Sequence, residues 1–192
     1  MSTRSLVERL AAVRAERASA PRPQPPPVAD RAQALARWFG ARLSTCPGGA
    51  AVVVERAVSL PPAVAAALAP LPDGCYFDTE TTGLSTGAGT VVFLAGLGRL
   101  EGDHIVVRQF LLPDYPHEPA LLRLVAAELT SAERVVTYNG RGFDLPLLTT
   151  RLTVHGLFRE LAALPERHDD LLPVARRLFR RPLGGARLAD VE

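Results

Sequence analysis

The segment Phe77-Asp78-Thr79-Glu80 sets two carboxylates two residues apart. On a strand, side chains alternate between faces, so Asp78 and Glu80 point the same way. Two carboxylates side by side on a partly buried strand repel each other and are costly unless a cation sits between them. A hard divalent ion with oxygen ligands, Mg²⁺ or Mn²⁺, is the natural occupant. Asp-x-Glu alone is common and equally describes a solvated edge with two unrelated acids. Here Cys75-Tyr76-Phe77 precede the pair and Thr81-Thr82-Gly83-Leu84 follow it. Those flanks describe a core strand running into a turn, a setting where an idle acid pair is harder to keep.

A second cluster is Tyr138-Asn139-Gly140-Arg141-Gly142-Phe143-Asp144. Asn139 closes a strand and Asp144 opens a helix. Each has an ordinary explanation by itself: Asn139 as a turn residue, Asp144 as a helix cap or a charge facing the helix dipole. A third cluster, His168-Asp169-Asp170, precedes a helix ending Arg176-Arg177-Leu178-Phe179-Arg180-Arg181. Positions 176/180 and 177/181 form one basic face, either a solvated surface or a phosphate contact. Gly83-Leu84-Ser85-Thr86-Gly87 matches the GxSxG nucleophile elbow, which needs strand, sharp turn, then helix. The next segment, TVVFLAGLGRL, reads as a strand, so an acylating serine hydrolase is not expected. Gly83, Gly87 and Gly89 instead are expected to let the loop bend beside the acids.

The elements that would position these groups are legible in order. Residues 4–18 read as a weakly amphipathic helix and 21–27, PRPQPPP, as an extended linker. A helix is expected over 31–43, carrying Trp38 and Phe39, broken by Gly48-Gly49 and followed by a strand over 50–58. The compact body starts near residue 71, with strands ending in FDTETT and at 90–100 and 104–112. A helix at 120–130, a strand at 134–138, a helix at 144–156, a short strand at 167–172 and a helix at 173–181 follow. Tight turns pair strands antiparallel and helical crossovers pair them parallel. The expected architecture is α/β: a mixed five-stranded sheet, three antiparallel strands then parallel strands, flanked by helices.

Composition narrows the chemistry. The chain has 192 residues, is 47% hydrophobic and carries a formal charge of +2. All 22 basic residues are Arg. Without lysine there is no Walker A loop, Schiff-base lysine or Ser-Lys nucleophile, and Arg, which stays charged, cannot replace them. Cys46 and Cys75 have no CxxC or Cys/His spacing, so neither a zinc site nor a disulfide framework is expected. The charged N-terminus has no apolar signal region, and no stretch approaches the roughly 18 apolar residues of a membrane span. The expectation is a soluble cytoplasmic protein with no membrane association. Charge is unevenly placed: +5 over residues 1–70 and −3 over 71–192.

Taken together, FDTETTGL and NGRGFD resemble the first two motifs of the DEDD family of 3′–5′ exonucleases, on the ribonuclease H-like fold. AGLGRLEG, VVRQFLL, TYNGRGFDLPLL and HDDLLPVARRLFRRPLGGARLADVE more narrowly resemble the YprB-like ribonuclease H-like domains of bacteria. The resemblance covers about residues 50 to 192. It implies a nuclease hydrolysing phosphodiester bonds of DNA or RNA from a 3′ end, with Asp78, Glu80 and Asp144 as catalytic metal ligands. Two Mg²⁺ or Mn²⁺ ions about 4 Å apart would sit on them, turning the −3 of the body into +1. Thr81, Thr82, Gly83, Leu84, Asn139 and Phe143 would contact substrate. The division implied is 1–48 as a helical and proline-rich extension, partly disordered, and 49–192 as the exonuclease domain. The third family motif, a His followed by an Asp, has no match before Glu192. The expectation is therefore an incomplete domain, weak or inactive as the chain stands. The rival expectation is a non-catalytic nucleic-acid-binding module.

Overall fold

The structure is a computed structural model that describes residues 27–68 and 73–183. The expected helix at 4–18 and nearly all of the proline-rich stretch lie outside the described residues. The described chain runs α1 (Val28–Trp38), β1 (Arg42–Cys46), β2 (Gly49–Ser59), α2 (Pro62–Leu68), β3 (Gly74–Thr81), β4 (Val92–Glu101) and β5 (His104–Leu111). A 3-10 turn (Tyr115–His117) leads into α3 (Glu118–Thr130), β6 (Arg134–Thr137), α4 (Asp144–Val154), α5 (Phe158–Ala162), β7 (His168–Asp170) and α6 (Leu172–Leu183). All seven strands form one sheet in the order β1-β2-β5-β4-β3-β6-β7. The pairs from β1 to β3 are antiparallel, while β3–β6 and β6–β7 are parallel. β3 is thus the seam between the two halves.

Strand alternation sorts the β3 side chains. Cys75 and Phe77 are buried in the main core with Leu97 and Phe110 of the neighbouring strands. Helices α3 and α4 bring Leu121, Leu122, Val125, Leu147, Leu148 and Leu152 onto that face. The apolar repeat of each helix is why it lies flat on the sheet. The first half of β2 buries both of its faces, while residues 55–59 are exposed. Ala51 and Val53 join the main core, and Ala50 and Val52 are buried too, near Ala32 and Ala36 of α1.

The sheet has seven strands, not five, and the difference lies at the front. The helix expected over 31–43 ends at Trp38, and residues 42–46 are strand. Phe39-Gly40 is the helix stop. Gly48 and Gly49, expected to break a helix, have φ of 99° and 128° and turn the β1–β2 hairpin. The expected division between residues 48 and 49 falls inside that hairpin. The strand at 49–59 pairs along its length with β5, from Val52 opposite Leu111 to Ser59 opposite His104, so it belongs to the sheet. Helix α2 was not foreseen, although PAVAAAL over Pro62–Leu68 opens on a helix-tolerated proline and continues with good helix formers. The short α5 was also missed. β4 follows the glycine-rich loop directly, so the strand-turn-helix of a nucleophile elbow is not formed.

Candidate active site

The ladder between β3 and β6 covers only Gly74 to Tyr76. Beyond Tyr76, β3 continues past the end of its parallel neighbour, and the register against β4 shifts between Glu80 and Thr81. Asp78 and Glu80 are exposed on this extension, and Thr79 between them turns to the other face. Clefts in α/β sheets commonly open at the carboxyl ends of adjacent parallel strands, and these acids stand at one. Burial pushes the Asp78 carboxyl above its ordinary value, and the charges of Asp144 and Glu80 push it further. The three acids therefore share one electrostatic neighbourhood.

Asp144 reaches that neighbourhood through a tight turn. Asn139 has φ 69°, the left-handed region that Asn tolerates better than most residues. Gly140 packs so closely that a Cβ there would lie 2.5 Å from Cβ of Thr137, which excludes any side chain. Asp170 clamps the turn from β7. Its carboxylate accepts the main-chain N–H of Asn139 at 2.8 Å and of Arg141 at 3.1 Å. It also accepts Leu172 N–H at 3.0 Å, so one side chain caps α6 and holds the turn. Burial pushes Asp170 up, but the N–H groups of Leu172, Asn139 and Arg141 and the nearby His168 outweigh it and leave it below the ordinary value. Thr137 Oγ1 accepts Gly140 N–H at 3.2 Å and lies 2.8 Å from Nε2 of His168.

Phe143 then packs against the core, and Asp144 opens α4 with only 4% of its surface exposed. The Thr79 hydroxyl donates to Oδ1 of Asp144 at 2.5 Å. The middle residue of Asp-Thr-Glu is therefore the link between strand and helix. Burial raises the Asp144 carboxyl, the charge of Asp170 adds to this, and the Thr79 hydroxyl and main-chain N–H groups oppose it.

None of Asp78, Glu80 and Asp144 is ion-paired with an Arg or His among the described residues. The donor set is all carboxylate oxygen, the chemistry a hard divalent cation prefers. Yet among the described residues no three His, Cys, Asp or Glu side chains are gathered to hold a metal.

The loop after Glu80 is closed by its own polar groups. The Thr81 hydroxyl donates to Gly83 O at 2.6 Å, and Val91 N–H to Oγ1 of Thr82 at 3.0 Å. Ser85 Oγ bonds Thr90 Oγ1 at 3.0 Å. Gly83, Gly87 and Gly89, expected to let the loop bend beside the acids, lie in the loop between β3 and β4 and have no positive φ. Gly83 is close to Thr90, whose Oγ1 would lie 3.4 Å from an added Cβ. Leu84 projects into solvent, 98% exposed. A cavity of about 960 Å³ opens toward the start of β3, lined by Gly74, Tyr76, Leu100, Val136, Arg141 and His168 among others, but by none of the three acids. Arg176 and Arg177 are exposed on α6, while the side chains of residues 180 and 181 lie outside the described set.

Two features escaped the sequence reading. One is the Asp170 clamp, for which Asp two residues before the first apolar residue of a helix was an available cue. The other is a buried ion pair of Glu118 and Arg151, signalled by a lone Arg inside the apolar run LPLLTTRL.

Residues 75–192 match the RNase_H superfamily. The chain belongs to the RNase_H superfamily. It is also 44% identical over 119 residues to the uncharacterized protein YprB of Bacillus subtilis (strain 168), covering 61% of this chain and 28% of that protein. The chain thus spans under a third of that relative's length. Among solved structures, a family B DNA polymerase from the archaeon Pyrobaculum calidifontis is loosely similar, with a TM-score of 0.37 and 18% identity over 63% of this chain and 17% of the polymerase. As a superfamily member the chain has a ribonuclease H-like, nuclease-like fold, and its mixed sheet flanked by helices is that architecture. No helix among the described residues is long and apolar enough to cross a membrane.

Proposed function

We propose that this ribonuclease H-like domain is a metal-dependent nuclease that hydrolyses phosphodiester bonds of DNA or RNA at a 3′ end. Asp78, Glu80 and Asp144 are the proposed ligands of Mg²⁺ or Mn²⁺. The observation that carries the reading is unbalanced negative charge at one strand end. Asp78 there feels the charges of Asp144 and Glu80, and none of the three acids is ion-paired with an Arg or His among the described residues. A bound divalent ion would supply an activated water and stabilise the leaving oxygen. The chain's own residues do the positioning. Thr79 holds Asp144 by its hydroxyl. Asp170 holds the turn that delivers Asp144. Thr81, Thr82, Gly83, Leu84, Asn139 and Phe143 border the acids and are the proposed substrate contacts. Exposed Arg176 and Arg177 are available for phosphate.

A second reading is favoured by the exposed Arg176 and Arg177 of the basic C-terminal helix: a nucleic-acid-binding module that performs no hydrolysis. Titration with Mn²⁺ followed by calorimetry separates the two. The nuclease reading expects saturable binding that is lost in Asp78→Ala and Asp144→Ala. No binding of Mn²⁺ or Mg²⁺ at millimolar concentration, with oligonucleotide binding intact, supports the module instead.

A further inference from the structure

The buried polar groups on α3 and α4 point to a function beyond the acids themselves. Arg151 is 5% exposed and Glu118 is 2% exposed. The Arg151 guanidinium donates from Nε to Oε1 of Glu118 at 2.6 Å and from Nη2 to Oε2 at 2.5 Å. Nε2 of His155 lies 2.8 Å from the same Oε2. The remaining Nη1 of Arg151 donates to the main-chain carbonyl of Ala88. Ala88 is at the tip of the loop that leaves β3 directly after the acids and returns to β4. That loop has its own bonds at its base, Thr81 to Gly83, Thr82 to Val91 and Ser85 to Thr90, and one turn, Thr90 N–H to Gly87 O, but none of these reaches across to the helices. Its tip is otherwise glycine on both sides, Gly87 and Gly89, where the chain is least stiff.

We infer that Arg151, oriented by Glu118, is a positioning residue that fixes the 83–89 loop relative to Asp144 for nucleic-acid binding. Asp144 and Arg151 lie on one helix about two turns apart. The same rigid element therefore carries a proposed metal ligand at its start and the loop's anchor further along. A buried ion pair is costly to build and is weak evidence for stability alone. The Nη1 bond to the Ala88 carbonyl satisfies a guanidinium N–H that burial would otherwise leave unpaired, and in doing so it ties the loop to α4. The inference rests on the proposed function for what the loop contacts, though not for the anchoring.

The test uses the full chain with a paired substitution, E118L/R151M, which removes both charges at once and avoids a lone buried ion. A second variant, R151K, keeps the charge but cannot make the two-pronged bond and reach Ala88 together. Amide hydrogen exchange is followed across the molecule. Anchoring predicts that amides of residues 83–90 exchange about ten- to a hundredfold faster in both variants, as for loss of one bond from a charged donor. Strands β4 and β5 should keep their protection. In parallel, the Kd of a fluorescein-labelled single-stranded oligonucleotide should rise about fivefold or more with unchanged stoichiometry, a change that simple unfolding of a fraction of molecules would not give. Unchanged exchange at 83–90 in the folded E118L/R151M protein, which has no donor left for Ala88, overturns the anchoring. Faster exchange with an unchanged Kd overturns the role in binding. Failure of the unsubstituted chain to bind any oligonucleotide counts against the proposed function, and the exchange arm still decides the anchor.

Discussion

Removing the Asp170 carboxylate isolates the clamp that delivers Asp144 to the acids. In Asp170→Ala three main-chain N–H groups lose their acceptor: Asn139, Arg141 and Leu172. Losing a helix N-cap costs ~0.5–2 kcal/mol, and each of the other two bonds contributes about 0.5–1.5 kcal/mol. The turn also holds Asn139 in its left-handed conformation, so little relaxation is available to it. A total loss of ~2–4 kcal/mol is expected, which for a domain of this size lowers Tm by about 5–15 °C. Asp170→Asn keeps one acceptor oxygen and should lose about half as much. The pH dependence has a definite sign. The folded Asp170 pKa is depressed, so its contribution is full above the ordinary carboxylate value and is lost as pH falls through the lower, folded value. Urea unfolding monitored by Trp38 fluorescence and far-UV circular dichroism at several pH values gives the difference directly. A loss below ~0.5 kcal/mol at pH 7, or a difference that does not shrink toward acid, refutes the clamp.

Other perturbations follow from the same geometry. Asp78→Asn and Asp144→Asn should raise the Tm of the metal-free protein near pH 7. Both acids have raised folded pKa values, so the charged form costs stability above the ordinary carboxylate range and that cost vanishes as pH falls below it. Melting curves from pH 4 to 8 that show no gain at the upper end count against this. Gly140→Ala should cost ~1–3 kcal/mol, because the added methyl meets Thr137 within 2.5 Å, and urea denaturation measures it. Leu148→Ala, in the fully buried face of α4, should cost about 2–5 kcal/mol by the same method. Arg151→Met alone, which strands Glu118 in the core, should cost ~3–5 kcal/mol, more than the paired E118L/R151M substitution.

Much of the architecture was legible because strand and helix periods are local signals. The runs CYFDTETT, HIVVRQFLL and RVVTY declared their strands, and Pro146 marked the first turn of α4. The front of the chain was misread for a physical reason. Arg42-Leu43-Ser44-Thr45-Cys46 has little hydrophobic periodicity, and its pairing with β2 is set by the Gly48-Gly49 turn. The acids were legible as a spaced pair and a helix start. The alignment of Thr79 with Asp144 was not, since it depends on where β6 ends relative to β3. Asp170 and Arg151 were hidden for a similar reason: their partners lie 31 and 33 residues away.

The central claim is that Asp78, Glu80 and Asp144 hold a metal that cleaves phosphodiester bonds. The direct test incubates the chain with a single-stranded DNA or RNA labelled at its 3′ end, in Mn²⁺ and in EDTA. The account predicts slow release of labelled nucleoside monophosphate in Mn²⁺, in keeping with the weak activity expected without a third motif, none in EDTA, and loss of that release in Asp78→Ala and Asp144→Ala. Release that persists in both variants, or a chain that binds the strand in Mn²⁺ and leaves it whole, contradicts the account.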